Sequence, residues 1–218
     1  MEHYDVLIAT PGTDLKAAYV DSLVKTLAEC DKRGLTYKWL NGQSSLVHHA
    51  REITMSGDMR LDPDDKGPMH GQVTYNKIVW IDSDIEWTKE DFFRLYDSEH
   101  EVISGVYLLS DNTTTTIHTQ EYLHGIPKNV ILQMTGPVQV QSIGFGFVAM
   151  KSGVFERMER PWFAHLSQYI VNSRGEKLPD SLGEDISWCV RAYNAKIPVM
   201  FDPKVLVNHI KTGKITWR

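Results

Sequence analysis

Residues Lys77 to Asp84 constrain this chain more than any other stretch. Ile78, Val79, Trp80 and Ile81 form an unbroken apolar run that stops at Asp82-Ser83-Asp84. A strand with one wet face alternates apolar and polar residues, so a continuous run predicts burial on both faces, in the middle of a parallel sheet. In open α/β sheets, ligands bind beyond the carboxyl ends of the strands. The two aspartates therefore fall where such an architecture places its chemistry.

The surrounding pattern agrees with an α/β chain. Residues 4–10 read as a first strand, and Pro11-Gly12-Thr13-Asp14 reads as a turn able to cap a helix. Leu15, Tyr19, Leu23 and Leu27, with Val20 and Val24 beside them, predict one apolar helix face, which Gly34 ends. Residues 36–40 form a second strand, and Ser44 caps a short helix that buries Leu46, Val47, Ala50 and Ile53. Residues 56–76 break the rhythm with polar and helix-breaking residues and read as a surface insertion. Its Asp62-Pro63-Asp64-Asp65 lacks the ligand spacing and closing glutamate of an EF-hand, so a solvated loop is expected.

Beyond the aspartates, Thr88 and Asp91 form a capping-box pattern, and residues 102–109 make a further strand. Hairpin strands are expected up to Met150, a helix from near Ser152, and a polar stretch over 168–182. Residues 184–195 form a helix with Ile186, Cys189, Val190 and Tyr193 on one side; strands at 197–201 and 205–209 follow. The expectation is one α/β domain over 1–218, with a mixed, mainly parallel central sheet flanked by helices and a short tail at 210–218.

Composition excludes little but directs the rest. A chain of 218 residues with formal charge -5 carries no global basic field for nucleic acid. No segment is apolar enough to span a bilayer, and the start lacks the pattern of a signal peptide. Cys30 and Cys189 fall at apolar helix positions and read as reduced core residues, which points to a cytoplasmic setting.

Asp82 and Asp84 stand one residue apart, so they repel unless a cation or strong donors lie between them. Mg²⁺ or Mn²⁺ suits such a site, taking a carboxylate or two and filling its other positions with water and phosphate oxygens. The ordinary alternative is that both simply open the next turn. Gly183-Glu184-Asp185 begins a predicted helix, where carboxylates also serve as plain capping charges. His209 ends the last strand, and no spacing argument joins it to Asp84.

The order of these segments resembles the GT-A glycosyltransferases, most closely the family 2-type enzymes of bacteria and their viruses. Ile78 to Ile85 resembles that family's DxD segment. Ser44-Ser45-Leu46-Val47 with Ala50-Arg51 resembles its Ser-Leu-x-x-x-Ala-Arg segment, and Val102 to Tyr107 its next strand. Gly144 to Lys151 resembles the glycine-containing strand beside the sugar pocket. Pro161-Trp162-Phe163, Gly183-Glu184-Asp185 and His209 follow in the family's order. Two departures stand out: the length of the 56–76 insertion, and Leu108-Leu109-Ser110 where relatives often carry lysine or another polar residue.

The resemblance implies a GT-A (Rossmann-like) fold and a metal-dependent transferase. A sugar would pass from a nucleotide diphosphate sugar, UDP-sugar favoured, to an acceptor hydroxyl. Thr10, Pro11 and Gly12 would border the nucleotide; Arg51 and Ser83 would lie near its phosphates or sugar; Gly144 and Gly146 would let backbone approach the substrate. Asp84 and His209, with Asp82 facing the ribose or the ion, would hold Mn²⁺ or Mg²⁺. Asp185 would be the general base of an inverting displacement, and Glu184 would position acceptor or sugar. A retaining transferase on the same fold, and a nucleotide-sugar or glycan-binding module without catalysis, stay open. A nucleotidyltransferase is disfavoured, because the loop after the first strand holds one glycine and no arginine. The acceptor stays open: a glycan, or, for a viral enzyme in its host's cytoplasm, a modified DNA base. The latter would need a basic channel drawn from Lys128, Lys151, Arg157, Arg160, Arg174, Lys177, Lys211, Lys214 and Arg218.

Overall fold

The structure is a computed structural model and describes residues 1–58, 67–171, 173–211, 214, 215 and 217. In chain order the elements are β1 (Glu2–Pro11), α1 (Ala17–Arg33), β2 (Tyr37–Gly42), α2 (Val47–Ser56), β3 (Val73–Ile81), β4 (Ile85–Glu86), α3 (Lys89–Tyr96) and β5 (Val102–Val106). There follow α4 (Lys128–Ile131), β6 (Val138–Gln139), β7 (Phe147–Lys151), β8 (Ser167–Val171), β9 (Lys177–Ser181), α5 (Glu184–Asn194), β10 (Val199–Leu206), β11 (Asn208–Ile210) and β12 (Lys214–Ile215).

A seven-stranded sheet runs in the order β2-β1-β3-β7-β5-β10-β6. β1 pairs parallel with β2 and β3, and β10 pairs parallel with β5. β7 runs antiparallel between β3 and β5, and β6 antiparallel to β10. This is a Rossmann-like α/β architecture with a mixed, mainly parallel sheet flanked by helices. The apolar run in β3 divides between two cores, as a doubly covered strand must. Ile78 and Trp80 join the cluster that holds Met55 and Trp188, while Val79 and Ile81 join the one that holds Tyr19 and Phe92. Helices α2 and α5 thus cover one face, and α1 and α3 the other.

Several local expectations change on contact with tertiary structure. Helix α1 begins behind Lys16 with no side-chain cap, and buries Tyr19, Ser22, Thr26 and Cys30 while Val20 and Val24 stay exposed. The reason is Trp87, whose carbonyl accepts from Ser22 Oγ (2.8 Å) and whose indole N–H donates to Thr26 Oγ1 (2.9 Å). Two hydroxyls therefore sit where a count of apolar residues expects none. Helix α2 likewise buries Ala50, Arg51, Glu52 and Thr54, leaving Leu46 and Val47 exposed. Its buried charges are paired, which apolar periodicity cannot register.

The insertion is shorter than expected, since Val73 and Tyr75 are buried residues of β3 in register with β1. The Asp-Pro-Asp-Asp segment lies outside the described residues. In place of hairpins before β7 the chain makes isolated bridges, the short helix α4 and the edge strand β6. The helix expected near Ser152 is a 3₁₀ turn at Phe155–Arg157. The polar stretch over 168–182 holds the exposed hairpin β8–β9, and Tyr193 on α5 is exposed rather than packed. The strands expected at 197–201 and 205–209 are instead β10, which runs through an irregularity after Phe201, and β11 in a second sheet. The capping box at Thr88 and Asp91 and the left-handed Gly34 cap are present as expected. Cys30 and Cys189 are free and buried, and burial raises their thiols to about 11 and about 12. Among the described residues no helix is long and apolar enough to cross a membrane.

Candidate active site

The ends of β1, β2 and β3 meet at one edge of the sheet. Gly12 there has φ of 119°, a left-handed backbone that glycine adopts without strain. Asn41, at the end of β2, holds this loop by donating to the carbonyls of Thr10 (2.7 Å) and Gly12 (2.9 Å). Thr10 itself is turned inward: its hydroxyl bonds to that of Tyr19 and accepts from Trp39 Nε1 at 3.1 Å. Thr10 is thus fully buried, backbone included, its carbonyl being taken by Asn41. Pro11 is also buried, whereas Trp39, which holds the Thr10 hydroxyl, is half exposed. Ser83 closes the same corner, its carbonyl accepting from Lys16 N and its hydroxyl lying near Gly12.

Arg51 organises the carboxylates. It is 2% exposed and reaches Asp82 through two hydrogen bonds, of 3.1 and 3.3 Å. Its guanidinium also lies 3.5 Å from Asp185 and 3.9 Å from Glu184. Burial opposes its charge, but Asp82, Asp185 and Glu184 outweigh that and hold it protonated. Residues from α2, the end of β3 and the start of α5 thus share one buried cation.

Asp185 sits at the first turn of α5, where the helix dipole favours negative charge. Its Oδ2 accepts from Phe145 N at 3.2 Å, while its buried Oδ1 has no hydrogen-bond partner among the described residues. Burial raises this carboxyl to about 6, against the pull of Arg51 and with the repulsion of Glu184 and Asp82. Oδ1 instead faces Arg51 Nη2 at 3.5 Å, and a carboxylate with a pKa near neutrality is suited to taking a proton.

Asp84 and His209 form a second pair. β4 follows Asp84 directly and pairs antiparallel with β11, setting His209 opposite Ile85. His209 Nε2 then lies 3.2 Å from Asp84 Oδ2. Its Nδ1 faces the Leu108 carbonyl at 3.3 Å and must donate to it, so Nε2 presents a lone pair unless the ring is protonated. An imidazole lone pair facing a carboxylate oxygen needs a proton or a cation between them. The donor set suits a hard divalent ion that keeps water or phosphate oxygens in its other positions. Asp82 is not part of this pair, since its carboxylate is committed to Arg51. Among the described residues, no group of three or more His, Cys, Asp or Glu side chains is arranged to hold a metal.

Gly144 and Gly146 adjoin the aspartates, because Asp82 N donates to the Gly146 carbonyl at 3.0 Å. What their missing side chains make room for is Tyr107. A Cβ on Gly144 would stand 2.2 Å from its hydroxyl, and one on Gly146 would stand 2.7 Å from its ring. Tyr107 is buried, accepts from Gly146 N at 3.2 Å and meets the His209 ring edge-on at 5.2 Å. Sequence reasoning passed over Tyr107, Asn41 and Trp39. Asn41 carried a usable signal, since it ends a strand on the ligand-binding edge of the sheet.

No protein-family model matches the chain, and no curated protein matches it. Among solved structures it is similar to the crystal structure of A197 from STIV, with a TM-score of 0.56 and 17% identity over 97% of this chain and 86% of that one. What the two chains share is a fold. The likeness extends over nearly the whole α/β core that positions the residues above.

The proposed basic channel for DNA loses several members. Arg160 is buried against Glu52 at 3.3 Å, Arg157 pairs with Glu101 at 2.5 Å, and Lys151 pairs with Glu99 at 2.8 Å. The side chain of Lys214 and all of Arg218 lie outside the described residues.

Proposed function

We propose that the chain is a metal-dependent glycosyltransferase of GT-A type, moving a sugar from a nucleotide diphosphate sugar, UDP-sugar favoured, to an acceptor hydroxyl. The observation that carries this reading is the convergence of Asp82, Glu184 and Asp185 on buried Arg51, beside the Asp84–His209 pair. A structural capping role for each residue separately does not account for that gathering.

In this reading Asp185 is the base of an inverting displacement. The acceptor hydroxyl gives its proton to the Asp185 carboxylate, the acceptor oxygen bonds to the anomeric carbon, and the bond to the diphosphate oxygen breaks. Arg51 fixes Asp82 and Asp185 relative to each other, and Glu184 orients acceptor or sugar. The loop at Thr10, Pro11 and Gly12 borders the nucleotide, with the half-exposed Trp39 beside it. A divalent ion, Mn²⁺ or Mg²⁺, held by Asp84 and His209 would neutralise charge developing on the leaving diphosphate.

Thermal unfolding with UDP, GDP and their sugar conjugates, with and without Mn²⁺, tests the donor site. Metal-dependent stabilisation by one nucleotide is expected, followed by product formation with the matching donor. No stabilisation by any of them on folded protein rejects the transferase reading and favours a glycan-binding module.

A further inference from the structure

A groove of about 1080 Å³ lies between the 118–142 segment and the outer side of α5, and its lining includes none of Arg51, Asp82, Asp84 or Asp185. It begins close to them in the chain. Leu182 and Ile186, which flank the Gly183-Glu184-Asp185 turn, both line it. Val190 and Tyr193 continue the same wall along α5. This explains why an apolar helix stripe that reads as core leaves Tyr193 73% exposed.

The groove has a distinctive chemistry. Glu121 is its one acidic lining residue, and neither lysine nor arginine lines it. Aliphatic residues such as Leu123, Val140, Ile186 and Val190 make about half of the lining. Gln120, Gln139, Gln141 and Gln168 supply amides that donate and accept hydrogen bonds as a sugar hydroxyl does, Gln168 already donating to Asp180 at 2.9 Å. Tyr122 and Tyr193 supply rings with an apolar face and a polar tip. A nucleic acid would need several cations for its phosphates; no lysine or arginine lines the groove, and the nearby Lys196 stands over the Tyr193 ring at 5.6 Å. An aliphatic ligand would leave the amides unmatched.

We infer that this groove binds the acceptor, and that the acceptor is a neutral oligosaccharide. The word acceptor rests on the transferase reading above; the saccharide site rests on the groove alone. The chain running over the tyrosines would bring a terminal hydroxyl toward the start of α5, where Asp185 stands.

The test is binding of the full chain to a printed array of neutral oligosaccharides, with a short DNA duplex as competitor. Tyr193→Ala and Gln141→Ala alter two exposed groove residues, and unfolding midpoints verify that both variants fold. Wild-type protein is assayed in parallel for Mn²⁺-dependent stabilisation by nucleotide, which reports on the transferase reading by itself. The expected result is binding to a subset of glycans, weakened about tenfold by each substitution and not displaced by the duplex. Absence of glycan binding, glycan binding indifferent to both substitutions, or salt-sensitive binding of the duplex in its place would overturn the inference. Nucleotide stabilisation without glycan binding removes the groove and leaves the transferase. Groove-dependent glycan binding without nucleotide stabilisation keeps the saccharide site and removes the transferase.

Discussion

His209 Nε2 stands 3.2 Å from Asp84 Oδ2 because β4 and β11, from distant parts of the chain, pair antiparallel. Burial pushes the Asp84 carboxyl up, but the hydrogen bond and charge of His209 bring it below the usual carboxylate range. If this pair is the cation site, Asp84→Asn and His209→Ala should each abolish the Mn²⁺-dependent part of nucleotide stabilisation. Nucleotide binding without metal should change much less. Thermal unfolding with a Mn²⁺ titration measures both, and a variant that keeps its full metal response removes that residue from the site.

Asp185 makes a prediction with a sign. As a base it must be ionised, so kcat/KM should fall about tenfold per pH unit below a pKa of about 6. Its stability effect runs the opposite way along the pH axis. The folded carboxyl holds its proton more tightly than the unfolded one, so its contribution is fully present below pH 3.8 and is lost as pH rises through about 6. Asp185→Asn should therefore lower turnover by ~10²–10⁴-fold while flattening the fall in melting temperature between pH 4 and 7. Turnover equal to that of the parent would end the base assignment.

How much of this was legible follows from which interactions are local. The β3 run and the capping box at Thr88 depend on neighbours in sequence, and both were readable there. The buried face of α1 was not, because Ser22 and Thr26 are made buriable by Trp87, far along the chain. Arg51 was legible as a motif residue only. That it lies inside, shared among Asp82, Glu184 and Asp185, is a product of three elements meeting. The hairpin β8–β9 escaped because its residues are exposed on both faces, leaving little alternation to read.

Arg51 can be tested on stability. Removing one partner from a buried ionic cluster leaves uncompensated charge, at a typical cost of about 3–5 kcal/mol. Arg51→Met should show a loss of that order in urea unfolding at pH 7. The loss should shrink toward pH 4, where protonation of the raised Asp185 carboxyl relieves part of the repulsion. Arg51→Lys keeps the charge but not the two-pronged contact with Asp82, so it should lie between parent and Met variant. A loss independent of pH would mean that Arg51 serves packing alone.

Gly144 separates a packing role from a substrate role. Its added Cβ would stand 2.2 Å from the Tyr107 hydroxyl and 2.8 Å from Thr116 Cβ, so Gly144→Ala should cost about 1–3 kcal/mol of stability as overpacking. Tyr107→Phe removes the nearer obstacle, at the cost of the hydroxyl that accepts from Gly146 N. The double variant should therefore lose less than the sum of the two singles, with coupling of at least about 0.5 kcal/mol. Thr116 remains in the way, so the rescue should be incomplete. Strictly additive losses would contradict the Tyr107 contact. Full stability of Gly144→Ala together with loss of nucleotide binding would instead show that the space beside Gly144 belongs to the donor.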